Sequence, residues 1–290
     1  MADIAGAPAA PARRKVRLDP RAIAGGIIVA LLFLTALLAP LIAPHNPLDQ
    51  DLLATQLPLA WAPRGNPAFL FGTDSLGRDI LSRLIYGSRI AVIVALVAAS
   101  LACLIGSLLG LAAGFYRGAI DQIVSRLIDV WMSFPPVLLS IVLAAAVGAG
   151  LRSVILAIVV IDWTRFARVV RSEVLLQRQL DYVEAARIVG LRPAAVLFRE
   201  VLPNVLPLLL TLLTVEMGIA VIVEAILSFV GLSVSTDTPT WGGMIAEGRT
   251  LINQVPWLLA LPIICIIITV LGFNLLGDGL RASLDPVQQR

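Results

Sequence analysis

Long apolar runs alternate with short polar segments along most of the chain. Five runs of about 20 residues or more lie at about 22–43, 90–116, 128–148, 204–230 and 254–276, and a shorter one covers 153–161. A helix of about 20 apolar residues crosses a bilayer core of roughly 30 Å. The pattern therefore predicts an all-α membrane protein with six transmembrane helices. The fourth is expected to leave the membrane as a helix once Asp162 and Arg165 are reached.

Glycine and proline positions add detail to the predicted spans. Gly106, Gly110 and Gly114 recur every fourth residue in the second span, and small residues at this spacing allow another helix to approach closely. Pro135 and Pro136 near the start of the third span predict a bend there. The glycine stripe is interpreted as a packing face.

The first two polar segments differ in character. Residues 1–20 are basic and rich in Ala and Pro, which predicts a disordered tail. The connection 44–87 contains an amphipathic stretch, with Leu76, Ile80 and Leu84 on one face and charged side chains opposite. Asp74 could cap a helix that starts at Ser75. We expect this helix to lie in the membrane interface.

Basic residues are distributed unevenly between the predicted sides of the membrane. With the N-terminus inside, 16 of the 22 Lys and Arg residues fall on the inner segments and 6 on the outer ones. The positive-inside rule then places both termini and the polar segment after the fourth span in the cytoplasm.

Composition excludes several functions. The chain is 59% hydrophobic and 14% charged, against about 25% charged in a typical soluble domain. Lys15 is the only lysine, so no GxxxxGK[ST] phosphate loop exists and this chain is not an ATPase. His45 is the only histidine, and Cys103 and Cys265 lie in apolar runs. No constellation for a metal site or for nucleophilic catalysis is present, which predicts a non-catalytic protein that binds no metal or nucleic acid.

The polar segment Asp181–Pro203 has the pattern helix, break, helix. Gly190 suits the left-handed position that ends a helix, and Pro193 suits the first turn of the next one. Ala185 and Ala186 leave a surface small enough for a protein to dock closely. The segment is therefore interpreted as a rigid docking elbow on the cytoplasmic side.

Glu184-Ala185-Ala186, Gly190 and Leu202-Pro203 resemble the cytoplasmic loop of permeases of ABC importers. In that family the loop forms the coupling helix that seats in the ATPase subunit. The resemblance implies an ATPase-coupling role for seven residues here: Asp181, Tyr182, Glu184, Ala185, Ala186, Gly190 and Pro193. One departure is Glu200, where the family usually has an apolar residue, although Val201 is adjacent.

The likeness extends over nearly the whole chain after residue 20. Phe71-Gly72-Thr73-Asp74 with Gly77-Arg78-Asp79, Leu227-Ser228-Phe229, Trp241-Gly242 and Gly277-Asp278-Gly279-Leu280-Arg281 resemble the second permease subunit of peptide importers. The resemblance implies a type I importer fold with a first helix and outer connection at 21–87. A permease core would cover 88–278, with the coupling loop at about 172–203, and a cytoplasmic tail would follow at 279–290.

The resemblance also implies an assembly in a bacterial inner membrane. A homologous permease would complete the pathway as a heterodimer, two ATPase subunits or domains would bind ATP and Mg, and an extracytoplasmic binding protein would deliver the cargo. This chain would itself bind no cofactor. Members of the group import dipeptides, oligopeptides, glutathione-like peptides or nickel complexes, so a nickel or other small-solute importer is an alternative.

Three acidic residues lie within the predicted spans: Asp162, Glu216 and Glu224. Charges there are costly and usually face a bundle interior or a wet cavity. They are candidates for lining a transport pathway, where a carboxylate could meet a cationic part of the cargo. The alternative is an interhelical hydrogen bond or ion pair. A stand-alone secondary transporter would also use such groups, but no inverted repeat accompanies them.

Overall fold

The computed structural model describes residues 19–234 and 238–284. The predicted tail 1–20 lies almost wholly outside these ranges, as does the end of the predicted tail 279–290. The described part is helical, apart from an isolated bridge between Thr73 and Asp79. Its helices are α1 Pro20–Ile42, α2 Ile80–Tyr116, α3 Gly118–Met132, α4 Pro136–Val147, α5 Leu151–Gln177, α6 Asp181–Ile188, α7 Pro193–Ala195, a π-helical turn Val196–Val201, α8 Leu202–Phe229, α9 Trp241–Thr250 and α10 Pro256–Leu284.

Four stretches of the described chain are long and apolar enough to cross a membrane: Pro20–Ile42, Ile80–Tyr116, Pro193–Phe229 and Pro256–Ser283. The pair α3 and α4 makes a fifth if it is one broken span, because the two helices are separated by a bend of 90° at Ser133–Pro135. The predicted bend at the two prolines is therefore confirmed. The helix α5 is 27 residues long, but its charged side chains keep it outside this set.

The bent pair leaves apolar side chains on its outer surface. Ile123 and Val130 of α3 are 61% and 53% exposed, and Leu138 and Val142 of α4 are 60% and 61% exposed. Both helices also bury a few residues against the rest of the chain, among them Ile128. The exposed residues form what we call the α3–α4 surface.

The glycines of α2 pack against α5, as predicted. A Cβ on Gly106 would lie 2.2 Å from the carbonyl oxygen of Trp163, and one on Gly110 would lie 2.6 Å from that of Ala167. A Cβ on Gly114 would lie 2.8 Å from Cβ of Val174. Because real Cβ atoms do not approach backbone this closely, only glycine allows these two helices to be so near each other.

The start of α2 corrects one prediction. The helix begins at Ile80, and the N-cap is Asp79, whose carboxylate accepts hydrogen bonds from the backbone N–H and the hydroxyl of Ser82 at 2.9 and 2.6 Å. Asp74 does not cap a helix. Residues 75–79, where the interfacial helix was predicted to begin, are not helical. The remainder of that stretch is continuous with the second span, because no residue between Ile80 and Tyr116 interrupts the helix.

The polar segment after the predicted fifth span contains a helix, α9, which the hydrophobic pattern does not predict. Thr240 caps this helix through a hydrogen bond from Gly243 N–H to its hydroxyl at 3.0 Å. The indole N–H of the buried Trp241 donates to the carbonyl oxygen of Leu84 in α2 at 3.0 Å. The helix α9 is thereby fixed against α2.

Candidate functional site

The elbow predicted from sequence consists of α6, the turn at Gly190, and α7. Gly190 has φ +87°, the left-handed conformation. Its N–H donates to the carbonyl of Arg187 at 2.9 Å, and Leu191 N–H donates to Ala186 at 3.2 Å. These two bonds form a Schellman motif, which satisfies helix-end carbonyls. The next helix begins at Pro193, so both predicted signals are found where the sequence places them.

The elbow is anchored to the membrane helices by one side of α6. Val183 is fully buried in a cluster with Val174 of α5 and Val201, the last residue of the π-helical turn before α8. Tyr182 donates from its hydroxyl to Gln177 at 2.7 Å and accepts from Asn204 at 3.2 Å, and burial raises the pKa of this hydroxyl. These contacts hold α6 at a fixed position under α5 and α8.

The opposite side of the elbow projects outward. Ile188 and Val189 are 82% and 81% exposed, and Glu184 and Ala185 beside them are exposed as well. Asp181, Gly190 and Pro193 are also exposed, whereas Ala186 is half-buried and packs against the cluster around Val183. A rigid, exposed apolar projection of this kind is suited to insertion into a cleft of another protein.

Two of the three acids that were predicted to lie within spans come together. Asp162 of α5 and Glu216 of α8 are 3% and 1% exposed, and both approach the guanidinium of Arg165. Arg165 lies beside both, with Nη1 3.5 Å from Oε1 of Glu216 and Nε 3.8 Å from Oδ1 of Asp162. Within the described residues, Oε1 of Glu216 accepts no hydrogen bond. Two acidic groups therefore share one guanidinium.

This cluster borders a cavity of about 200 Å³ between α4, α5 and α8. Asp162 and Arg165 line the cavity together with Ser140 and with apolar residues such as Ile219 and Ile222. The cavity therefore combines an apolar wall with a small charged patch.

Glu224 is in a different setting. Its Oε1 accepts hydrogen bonds from the hydroxyls of Ser228 and Ser233 at 2.6 and 3.2 Å, and the side chain is buried at 2% exposure. The structure does not bring Glu224 to the pair Asp162 and Glu216.

A second charged cluster lies at the N-terminal end of α2, where the helix begins at Ile80. Asp74 is fully buried and pairs with Nε of Arg78 at 2.7 Å and with Arg83. Glu247 of α9 pairs with Nη1 of Arg83 at 2.8 Å and accepts from the hydroxyl of Ser75 at 2.8 Å. Burial alone would raise the pKa of Glu247, but Arg83, Ser75 and Arg78 outweigh it, so this pKa lies below its usual range. We call these five residues the outer ion cluster.

Sequence reasoning missed the outer ion cluster as a unit. Asp74 and Arg78 belong to the quoted motif 71–79, but Glu247 is more than 160 positions away from both arginines. The available signal was the density of charge in a short segment beside an apolar run. Among the described residues, no group of three or more His, Cys, Asp and Glu side chains could hold a metal ion.

Comparison with known protein families gives two matches. Residues 106–289 match the family described as binding-protein-dependent transport system inner membrane component. Residues 8–58 match the N-terminal transmembrane domain of oligopeptide transport permease C.

Similar sequences cover most of the chain. The dipeptide transport system permease protein DppC of Haemophilus influenzae is 39% identical over 265 residues, which is 91% of this chain and 90% of that protein. The glutathione transport system permease protein GsiD of Pectobacterium atrosepticum is 38% identical over 268 residues, 91% of this chain and 86% of the relative.

A solved structure shares the fold. A chain from the inward-facing MetNI methionine ABC transporter superimposes with a TM-score of 0.59 at 21% identity, covering 71% of this chain and 98% of that one.

Proposed function

This chain belongs to the family of binding-protein-dependent transport system inner membrane components, and we propose that its exposed elbow is the element through which ATPase subunits drive it. The chain is a non-catalytic permease subunit of an ABC importer of the peptide-transport type, located in the inner membrane. The observation that carries the proposal is the rigid elbow with its outward-facing Ile188 and Val189.

We infer that the chain crosses the membrane six times, with both termini in the cytoplasm. The crossings are α1, α2, the broken pair α3 and α4, α5, α8 and α10. Counting α5 is supported by its length of 27 residues and by Asp162, which is buried rather than solvated. The excess of basic residues on the inner segments supports the orientation.

The elbow works as a mechanical coupling element. Glu184 and Ala185 present the docking face, and Asp181 and Tyr182 begin the docking helix. Gly190 and Pro193 fix the angle to the next helix. ATP and Mg are bound by the ATPase subunits and not by this chain. Closure of those subunits displaces the elbow, and the buried contacts of Val183 pass the displacement to α5 and α8.

The pathway lies beside the cavity lined by Asp162 and Arg165. We assign the α3–α4 surface to the homologous permease, which completes the pathway from the other side. An extracytoplasmic binding protein supplies cargo from the extracytoplasmic side of the membrane. The cargo is a peptide, because relatives that match over 91% of the chain are named for dipeptide, tripeptide and glutathione transport. The acidic pair Asp162 and Glu216 then offers a counter-charge to the ammonium group of the peptide.

Docking is tested by adding bulk to the elbow. In the assembled importer, Ala185→Trp places a large side chain on the exposed docking face. We expect the variant to insert normally in the membrane but to lose co-purification of the ATPase and stimulation of ATP hydrolysis by a loaded binding protein. The matched control is Ala194→Trp, also exposed but beyond the turn at Gly190. Full docking and stimulation in Ala185→Trp would show that another surface couples the ATPase.

A further inference from the structure

The cytoplasmic end of α2 is enclosed by the elbow. Phe115, one residue before the last of α2, is 6% exposed and lies in the same buried cluster as Val183 of α6 and Val174 of α5. The first residue after α2, Arg117, has φ +60° and turns the chain directly into α3. The end of α2 is therefore not a free terminus but part of the base on which the elbow rests.

Two arginines hold Phe115 from different elements. Arg178, at the end of α5, donates from Nη1 to the carbonyl oxygens of Phe115 and Gly114 at 3.0 and 3.4 Å. These carbonyls have no partner within the helix, and a positive charge is favourable at a helix C-terminus. Arg187 of α6 places its Cζ 5.7 Å from the centroid of the Phe115 ring, within the range of a cation–π contact.

The two arginines lie close enough to repel each other. Burial first, then the charges of Arg187 and Arg117, lower the pKa of the Arg178 guanidinium. Like charges are brought together only where other contacts compensate. Here the hydrogen bonds to the backbone carbonyls of Gly114 and Phe115 offset the repulsion at Arg178, and the contact with the aromatic ring offsets it at Arg187. The contact therefore joins a buried ring, that of Phe115, to an arginine on the exposed side of α6.

The helix α2 is built to carry a displacement over a long distance. Its 37 residues span about 55 Å at 1.5 Å per residue. Gly106, Gly110 and Gly114 bind it closely to α5. At its other end Arg83 belongs to the outer ion cluster, which joins α2 to α9 through Glu247. A shift of Phe115 would reach the outer side of the protein through a single rigid element.

We propose that Phe115, held between Arg178 and Arg187, is the joint that transmits movement of the elbow to α2. The inference rests on the proposed coupling function and adds a route to it. Displacement of α6 by the ATPase pulls Phe115, and α2 passes the movement to the outer ion cluster and α9. Phe115, Arg178 and Arg187 are positioning residues, since their contacts lie inside this chain.

The test separates transmission from docking in the assembled importer reconstituted in liposomes. Phe115→Leu keeps an apolar side chain but removes the ring, and Arg187→Gln removes the cation. For each variant, co-purified ATPase, basal ATP hydrolysis and hydrolysis stimulated by a loaded binding protein are measured. We expect unchanged co-purification and basal hydrolysis, with stimulation reduced about tenfold, a typical coupling between two sites.

Two further variants exclude a merely structural effect. Arg187→Lys keeps a cation over the ring, so it should restore most of the stimulation. The double variant Phe115→Leu with Arg187→Gln should be no worse than either single variant, because both remove one shared contact. The control is Arg21→Gln, which removes an exposed arginine from the start of α1 and should leave stimulation unchanged.

Two outcomes would overturn the proposal that Phe115 is the joint between the elbow and α2. Full stimulation in both Phe115→Leu and Arg187→Gln would show that α2 receives no displacement through Phe115. Loss of ATPase co-purification in Arg187→Gln would show that Arg187 is a docking contact and not part of the joint. In either case Ala185→Trp still decides the coupling function independently, so the two proposals can fail separately.

Discussion

The Cβ position of Gly25 in α1 lies 2.3 Å from the backbone nitrogen of Leu276 in α10. The neighbouring Gly26 has only a side-chain methyl of Leu276 within reach, at 4.0 Å. We therefore expect Gly25→Ala to lower the stability of the protein by about 1–3 kcal/mol, because backbone atoms cannot yield to the added carbon.

The neighbour provides the control for this prediction. Gly26→Ala should be neutral or stabilising by up to about 1 kcal/mol, since Ala favours the helix more than Gly. Thermal unfolding of the purified protein measures both. Equal melting temperatures for the two variants would show that α1 and α10 are not held at the spacing described.

Removing one partner of the outer ion cluster should be costly. Arg83→Met takes the guanidinium away from Asp74, which is fully buried, and from Glu247. Breaking a buried ion pair from one side costs roughly 3–5 kcal/mol when the remaining charge is left uncompensated, and because Arg78 still pairs with both acids we expect a loss at or below the lower end of this range. Arg89→Met, at an exposed arginine six residues further along α2, removes only a cation–π contact with Tyr86 and should change stability by about 0.5–1 kcal/mol. Similar melting temperatures for both variants would contradict the assignment.

The same cluster predicts acid sensitivity. The pKa of Glu247 is depressed, so its stabilising contribution is complete above the ordinary pKa of 4.5 and is lost as the pH falls from there through the folded-state value. Glu247→Gln should lower the melting temperature at neutral pH, and its difference from the wild type should narrow towards about pH 4. The exposed Asp49→Asn should follow the wild-type curve. If the difference in melting temperature between Glu247→Gln and the wild type widened on acidification, the pKa of Glu247 would not be depressed in the folded protein.

Gly190 should tolerate asparagine better than valine. Nothing lies within 4 Å of its Cβ position, so a substitution there is limited by the backbone angle of +87° and not by a clash. A β-branched residue in this conformation costs about 1 kcal/mol or more, whereas Asn adopts it readily. Gly190→Val should lose stimulated ATP hydrolysis and Gly190→Asn should keep most of it. Equal activity in the two variants would mean that the elbow does not need this turn.

Glu216 and Glu224 should differ when each is replaced by Gln. Gln at 224 can still accept from Ser228 and Ser233, so uptake should be nearly unchanged. Glu216→Gln should reduce uptake of a peptide with a free amino terminus about tenfold, equivalent to roughly 1.4 kcal/mol. An N-acetylated peptide serves as the comparison. An equal loss for both peptides would assign Glu216 to interhelical pairing with Arg165 and not to cargo.

Local signals in the sequence were sufficient for the elbow and for the packing face of α2, although not for the identity of α5 as the helix that packs there. A glycine followed three residues later by a proline fixes a turn, and glycines four residues apart fix a close helix contact, because both depend on a few neighbouring residues. The bend between α3 and α4 could also be predicted, because it too depends on neighbouring residues, Pro135 and Pro136.

The outer ion cluster and α9 could not be predicted in this way. Arg83 looked like one side of an interfacial helix because its partner Glu247 is 164 positions away. The helix α9 could not be predicted from its sequence pattern, because it contains Gly242 and Gly243 and glycine is a poor helix former. Gly242 is required because its Cβ would lie 2.2 Å from the carbonyl oxygen of Ala225 in α8. In both cases tertiary packing decides the structure, and a single sequence does not contain that information.

The α3–α4 surface has a consequence for how the protein is made. Side chains such as Ile123 and Val142 are exposed on a helix pair that bends by 90°, so a newly synthesised subunit without its proposed partner presents this surface to lipid. The two helices bury few residues against the rest of the chain, so they are expected to be more stable in the assembled pair, and a subunit that is less stable alone is removed faster by proteases. We therefore expect the lifetime of this subunit in the cell to be set by the supply of the proposed partner permease, so that the abundance of one chain limits that of the other.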